Sequence, residues 1–219
     1  MKSLPLRNIR LVIFDFDGTI ADTSEGILDS HKYTFMSTEH VAPSDEKLRS
    51  VIGGNLLKIY VEKFGFDTDS AKNAVKIYRE RYKEVGIHMA TLYPGIEALL
   101  SCLRQKGIKT AVATLKADAF VKQMIDELGI NQYFDCVYGM NSDDTFEKAE
   151  LITKCMSFLT CNHTETLFIG DSVNDYVGAK KAEVEFVGVT YGFGFVKGEP
   201  HEFITIDNPK IILNIISNE

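Results

Sequence analysis

The chain has no Cys-x-x-Cys pair, no apolar stretch long enough to span a bilayer, no internal repeat and no low-complexity segment. Each absence removes a class of protein. Its four cysteines (Cys102, Cys136, Cys155 and Cys161) are scattered, which argues against a disulfide framework and for free, buried thiols. The basic residues Lys2, Arg7 and Arg10 precede an apolar run that Asp15 and Asp17 interrupt at once, a poor signal peptide. With no spanning segment either, the expectation is a soluble, cytoplasmic protein. Positive charge is not in surplus: the formal net charge is -7, which disfavours nonspecific contact with nucleic acid or an anionic membrane. The expected partner is a small molecule, and the expected assembly a monomer or weak homodimer.

A core, by contrast, is well supplied. With 45% hydrophobic residues over 219 positions, the chain can fill one large domain, or one domain that carries an insertion. From Thr91 onward, helical and strand-like patterns alternate. Helices are predicted over Ile96–Gln105, Ala117–Leu128, Lys148–Leu159, Asn174–Ala182 and Ile211–Ile216. Strands are predicted over Leu11–Phe14, Ile108–Thr114, Cys136–Tyr138, Thr166–Ile169, Phe186–Val189 and Phe203–Ile206. Repeated units of this kind imply an α/β fold with a doubly wound parallel sheet. Residues 22–90 break the rhythm, because Gly26–Thr38, Leu56–Phe64 and Ser70–Val85 all carry helical periodicity. That stretch is expected to be an all-helical insertion above the carboxyl ends of the strands, where it can exclude water and select a substrate.

Chemistry concentrates at two acidic turns. Asp15 and Asp17 stand where the apolar run Leu11–Phe14 gives way to Gly18, at the end of a strand buried on both faces. At ~4 Å two unit charges repel by about 4 kcal/mol at an effective dielectric of 20, so a metal ion, a lysine or a shared proton is expected beside them. A second acidic pair, Asp171 and Asp175, follows the run Leu167–Ile169 and opens a helical pattern, whose positive dipole end tolerates carboxylates. Between the two turns lie Thr114, at a strand end, and Lys148, at the head of a helix; Lys154 and Lys116 are weaker candidates for the lysine. Taken singly, Asp171 could be a helix cap and the Gly192, Gly194, Gly198 segment a flexible loop at the rim. The five histidines are dispersed and suggest no ligand cluster.

In order, Asp15-Phe16-Asp17-Gly18-Thr19, Thr114, Lys148 and Gly170-Asp171-Ser172-Val173-Asn174-Asp175 resemble the four motifs of the haloacid dehalogenase superfamily. The resemblance covers nearly the whole chain and is nearest to the branch of phosphoglycolate phosphatases and β-phosphoglucomutases. It implies a catalytic core of residues 1–21 and 91–219, a helical cap of residues 22–90, and a return hinge at Tyr93-Pro94-Gly95. It also implies roles: Asp15 as nucleophile, Asp17 as general acid and base, Thr114 and Lys148 on the phosphoryl group. The implied cofactor is Mg2+, held by the Asp15 and Asp171 side chains and the Asp17 backbone carbonyl, with Asp175 behind them; a set of hard oxygen ligands suits that ion. In the insertion, Ile52-Gly53-Gly54-Asn55 resembles the branch's specificity loop, which makes Gly53 and the nearby Arg49 candidate substrate contacts or parts of a plain turn. Leu115, after Thr114, departs from the small or polar residue common in relatives. The expected activity is hydrolysis of a small phosphate monoester; a phosphomutase and a catalytically silent binding protein are the alternatives.

Overall fold

The computed structural model describes residues 6–141 and 145–217. Lys2 and the rest of residues 1–5 therefore lie outside the described residues, as do 142–144 and 218–219. The chain divides into two compact units, Thr23–Thr91 and the remainder.

The larger unit is built on six parallel strands: β1 (Leu11–Phe14), β2 (Lys109–Ala117), β3 (Cys136–Met140), β4 (Thr166–Gly170), β5 (Glu185–Val189) and β6 (Ile204–Ile206). Their spatial order is 3-2-1-4-5-6, with β1 between β2 and β4. This order turns back at β1, so the crevice outside the carboxyl ends of β1, β2 and β4 is where such a sheet binds ligands. Every residue of β1 is buried, as its unbroken apolar run requires of a strand covered on both faces. Leu11, Ile13, Ala111, Ala113 and Phe168 share one core cluster with Leu151, Ile152 and Cys155 of the helix Lys148–Leu159. Leu6–Arg7 pairs in parallel with Ile216–Ser217 as a separate two-stranded ribbon. All four cysteines are free; Cys155 and Cys161 are buried, and Cys102 and Cys136 half-buried.

Most boundaries shift by one or two residues from the expected ones, and two elements differ in kind or extent. Strand β2 does not end at Thr114 but runs on to Ala117, with a register irregularity against β3 between Ala113 and Ala117. Apolar periodicity stops at Thr114 because Lys116 is polar, but the backbone stays extended. The helix expected over Ile211–Ile216 is instead a 3-10 turn, Pro209–Ile211, and one helical turn, Ile212–Ile215, after which Ile216 joins the ribbon.

The smaller unit contains the helices Ser24–Ser37, Asp45–Arg49, Leu56–Lys58 and Thr68–Glu84, with a π-helical turn at Ile59–Lys63. The short helix Asp45–Arg49 was not anticipated; the Ser44 hydroxyl caps it by accepting from Lys47 N–H. The two long helices pack together. Gly26 lets the first of them approach the 3-10 turn Gly86–Met89, since a Cβ there would stand 2.1 Å from the Gly86 carbonyl oxygen. Ser30 and Thr34 bury their hydroxyls by donating to carbonyls one turn back, Gly26 O and Ser30 O. Around His31, the rings of Phe35, Tyr60, Phe64 and Tyr78 form an aromatic core, and Arg81 Nε and Nη2 grip both carboxylate oxygens of Asp29.

Candidate active site

Register brings the two acidic turns together. Phe14 is level with Val112 on one side and Ile169 on the other, and the next residue, Asp15, donates its backbone N–H to Ile169 O. Asp15 thus emerges beside the Gly170-Asp171 turn, while Thr114 emerges from β2. A Cβ at Gly170 would lie 2.5 Å from Asp175 Cγ, so only glycine lets the turn pass this close to the helix.

The carboxylates of Asp15, Asp171 and Asp175 lie within 4.8 Å of one another and are all buried. Lys148 faces them: its Nζ is 2.6 Å from Asp15 Oδ1, 2.8 Å from Asp175 Oδ1 and 3.3 Å from Ala113 O. Lys148 is the first residue of its helix, where the dipole disfavours an ammonium; the facing acids offset that. Asp175 also ties down the start of the helix Val173–Lys181, accepting from Ser172 N–H and Oγ–H through Oδ2.

The electrostatics follow from burial. Burial, and then the charge of Asp175, push the Asp15 carboxyl up to about 6 despite Lys148. Burial and the neighbouring charges of Asp175 and Asp15 hold Asp171 well above the usual carboxylate range. Burial alone would lower Lys148, but Asp15 and Asp175 together hold it above its ordinary value. Three buried carboxylates against one ammonium leave negative charge that a divalent cation would balance. Asp175 Oδ1 is fully buried, with the Lys148 ammonium 2.8 Å away. The donors are all oxygen, the set that hard divalent ions prefer.

The Asp17 carboxylate is not one of the three. Its Oδ1 and Oδ2 lie 2.8 and 3.1 Å from Lys116 Nζ. Thr114 is buried on β2, and its Oγ1 accepts from Lys116 N–H at 3.2 Å. Leu115 points the other way and packs against the core cluster, so its departure from the family pattern falls on packing. Lys154 sits over the Phe146 ring and is no rival to Lys148. Arg49 and Gly53 belong to the helical unit; Gly53 occupies a turn with φ of 82°, and Gly54 N–H is bonded to Val51 O.

The glycine-rich loop is where sequence reasoning fell short. It is no slack connection: Phe193 N–H donates to Asp171 Oδ2 at 2.6 Å, and Phe195 N–H to Asp171 O at 3.0 Å. A Cβ on Gly192 would lie 2.2 Å from Gly18 O, and one on Gly194 2.5 Å from Asp171 O. The signal available was two glycines two residues apart, directly after a strand that borders the acidic turn.

Residues 12–189 match the model of the haloacid dehalogenase-like hydrolases. The chain belongs to that family, and it is an enzyme of the hydrolase class. It is 33% identical over 184 residues to a 5'-nucleotidase of Pseudomonas aeruginosa, a match covering 84% of this chain and 83% of the relative. It is 28% identical to a phosphoglycolate phosphatase of Photorhabdus laumondii, over 100% of this chain and 94% of the relative. Among solved structures, a predicted phosphatase from Clostridium acetobutylicum superposes with a TM-score of 0.86 at 32% identity, covering 94% of this chain and 98% of the other.

Proposed function

We propose that the protein is a Mg2+-dependent phosphatase that hydrolyses a small phosphate monoester through an aspartyl-phosphate. The observation that carries this reading is the Lys148 ammonium, 2.6 Å from Asp15 Oδ1 at the edge of a buried carboxylate triad. The relatives named as phosphatases and a nucleotidase support it.

In this reading a carboxylate oxygen of Asp15 attacks phosphorus, the bond from phosphorus to the ester oxygen breaks, and the Asp17 carboxyl proton passes to the departing alcohol. Water then attacks the phosphorus of the aspartyl-phosphate, gives its proton to Asp17, and the bond to Asp15 breaks to release inorganic phosphate. Lys148 neutralises charge on Asp15 and on the phosphoryl group, and Thr114 donates to a phosphoryl oxygen. Mg2+, held by the Asp15 and Asp171 carboxylates and the Asp17 backbone carbonyl with Asp175 behind, would supply shielding of the phosphoryl oxygens. The helical unit is proposed as the cap, with Arg49 and Gly53 as substrate contacts, and the setting as cytoplasmic.

The test is a released-phosphate screen over nucleotides, sugar phosphates, phosphoglycolate and pyrophosphate, with and without chelator. Phosphate release that needs Mg2+ and disappears in Asp15→Asn is expected. Near wild-type turnover in Asp15→Asn would overturn the reading.

A further inference from the structure

Lys116 has no part in the scheme above, yet its side chain is nearly buried. Its side chain is 6% exposed and that of its partner Asp17 14%. Its place follows from the extension of β2: Lys116 lies two residues beyond Thr114, whose Oγ1 accepts from Lys116 N–H, while Leu115 between them packs against the core. The backbone at this point is fixed from several sides. Lys116 N–H is bonded to Thr114 Oγ1, and Asp118 Oδ1 accepts from Gly139 N–H of β3. Gly139 passes so near that a Cβ there would lie 2.7 Å from Lys116 O. A long side chain is thereby anchored at its base and held at its tip by both oxygens of one carboxylate.

From this arrangement we infer that Lys116 is the positioning residue for Asp17. Its ammonium holds the Asp17 carboxylate beside the carboxylate triad and outside it, so that a cation drawn to Asp15, Asp171 and Asp175 does not recruit a fourth carboxylate. A carboxylate captured as a ligand is lost to proton transfer; one that swings freely is misplaced for it, and small misplacements are costly in rate. The inference rests on the proposed role of Asp17 in the phosphatase reading.

Leaving-group dependence tests it. p-Nitrophenolate departs without a proton, whereas an alkyl alcohol needs one, so a defect in Asp17 placement spares phosphoryl transfer from the first ester and harms it from the second; hydrolysis of the aspartyl-phosphate, which also uses Asp17, is common to both esters and enters kcat but not kcat/KM. For Lys116→Met, kcat/KM on the best alkyl phosphate of the screen is expected to fall roughly ten- to hundredfold more than kcat/KM on p-nitrophenyl phosphate. In an Asp17→Asn background the same substitution is expected to add almost nothing, the mark of two residues acting as one unit. Lys116→Arg, which keeps a cation with paired donors, is expected to restore part of the loss. Equal losses of kcat/KM on both esters, or full additivity with Asp17→Asn, would overturn the inference. Should Lys116→Met fold poorly by circular dichroism, Lys116→Gln carries the same comparison. Absence of phosphate release by the wild-type enzyme would instead remove the phosphatase reading itself, and this inference with it.

Discussion

Lys148 and Asp15 form a buried ion pair at 2.6 Å across 133 residues of sequence, joining the first residue of a helix to the end of the central strand. The pair is also what makes three crowded carboxylates tolerable, since the same ammonium lies 2.8 Å from Asp175. Lys148→Met should therefore do two things. Removing one member of a buried pair leaves uncompensated charge and costs about 3–5 kcal/mol, so the melting temperature in chelator should drop, and Mg2+ should recover much of it. Activity should fall by at least about a hundredfold even with saturating Mg2+, because charge on the phosphoryl group in transit loses its partner. Steady-state kinetics and thermal melts with and without the cation check both.

The raised Asp15 carboxyl makes a second prediction about pH. With Asp15 near 6 in the fold against 3.8 as its ordinary value, the folded state binds this proton more tightly than the unfolded chain does. Its contribution to stability is thus complete below about pH 4 and is lost as pH rises through about 6, a change of roughly 3 kcal/mol. In chelator, the stability of Asp15→Asn relative to wild type should rise across that window. Mg2+ should reverse the sign for wild type above about pH 6, because it favours the ionised carboxylates. Denaturant titrations at a series of pH values measure this; a pH-independent difference between the two proteins would contradict the assignment.

How much of this was legible in the sequence depends on which kind of pattern carried each residue. The strand Leu11–Phe14 and the helices Ile96–Gln105 and Lys148–Leu159 have the bounds expected, because apolar spacing and clear stops coincide there. Asp15, Lys148, Asp171 and Asp175 were found by motif order, and parallel register then accounts for their meeting. Lys116 is a weak candidate in the sequence, a polar residue past the last apolar position; only the extended backbone carries it onward from Thr114 in the same strand. The hold of Phe193 on Asp171 was equally hidden, since a backbone N–H leaves no mark on residue identity. Asp45–Arg49, at five residues, was too short to display a period.

That backbone bond supports a third prediction. Gly192 lies against Gly18 O and the Asp171 side chain so closely that a methyl group would overlap both, at 2.2 and 2.5 Å. Gly192→Ala should push the loop outward, lengthen the bond from Phe193 N–H, and let Asp171 turn. Loss of a group that orients a metal ligand lowers metal affinity by about 10–100-fold, and the overpacking itself costs about 1–3 kcal/mol. The Mg2+ concentration needed for half-maximal activity should rise accordingly, with kcat at saturating Mg2+ less affected. An unchanged Mg2+ requirement would show that Phe193 does not hold Asp171 in place.

The helical unit should respond to acid in the opposite sense from the triad. His31 is buried among Tyr60, Phe64 and Tyr78, with Nδ1 3.0 Å from the Tyr60 hydroxyl, and burial lowers its imidazole to about 4 from 6.5. Its folded form is neutral, so its contribution is complete above about pH 6.5 and is lost as pH falls toward 4, roughly 3 kcal/mol over the window. Histidine resonances followed by NMR should show one imidazole that stays uncharged until about pH 4, and His31→Gln should remove that signal. The stability of wild type relative to His31→Gln should shrink on acidification across the interval in which the contribution of Asp15 grows. An imidazole titrating near 6.5 would mean that the aromatic core around it admits water.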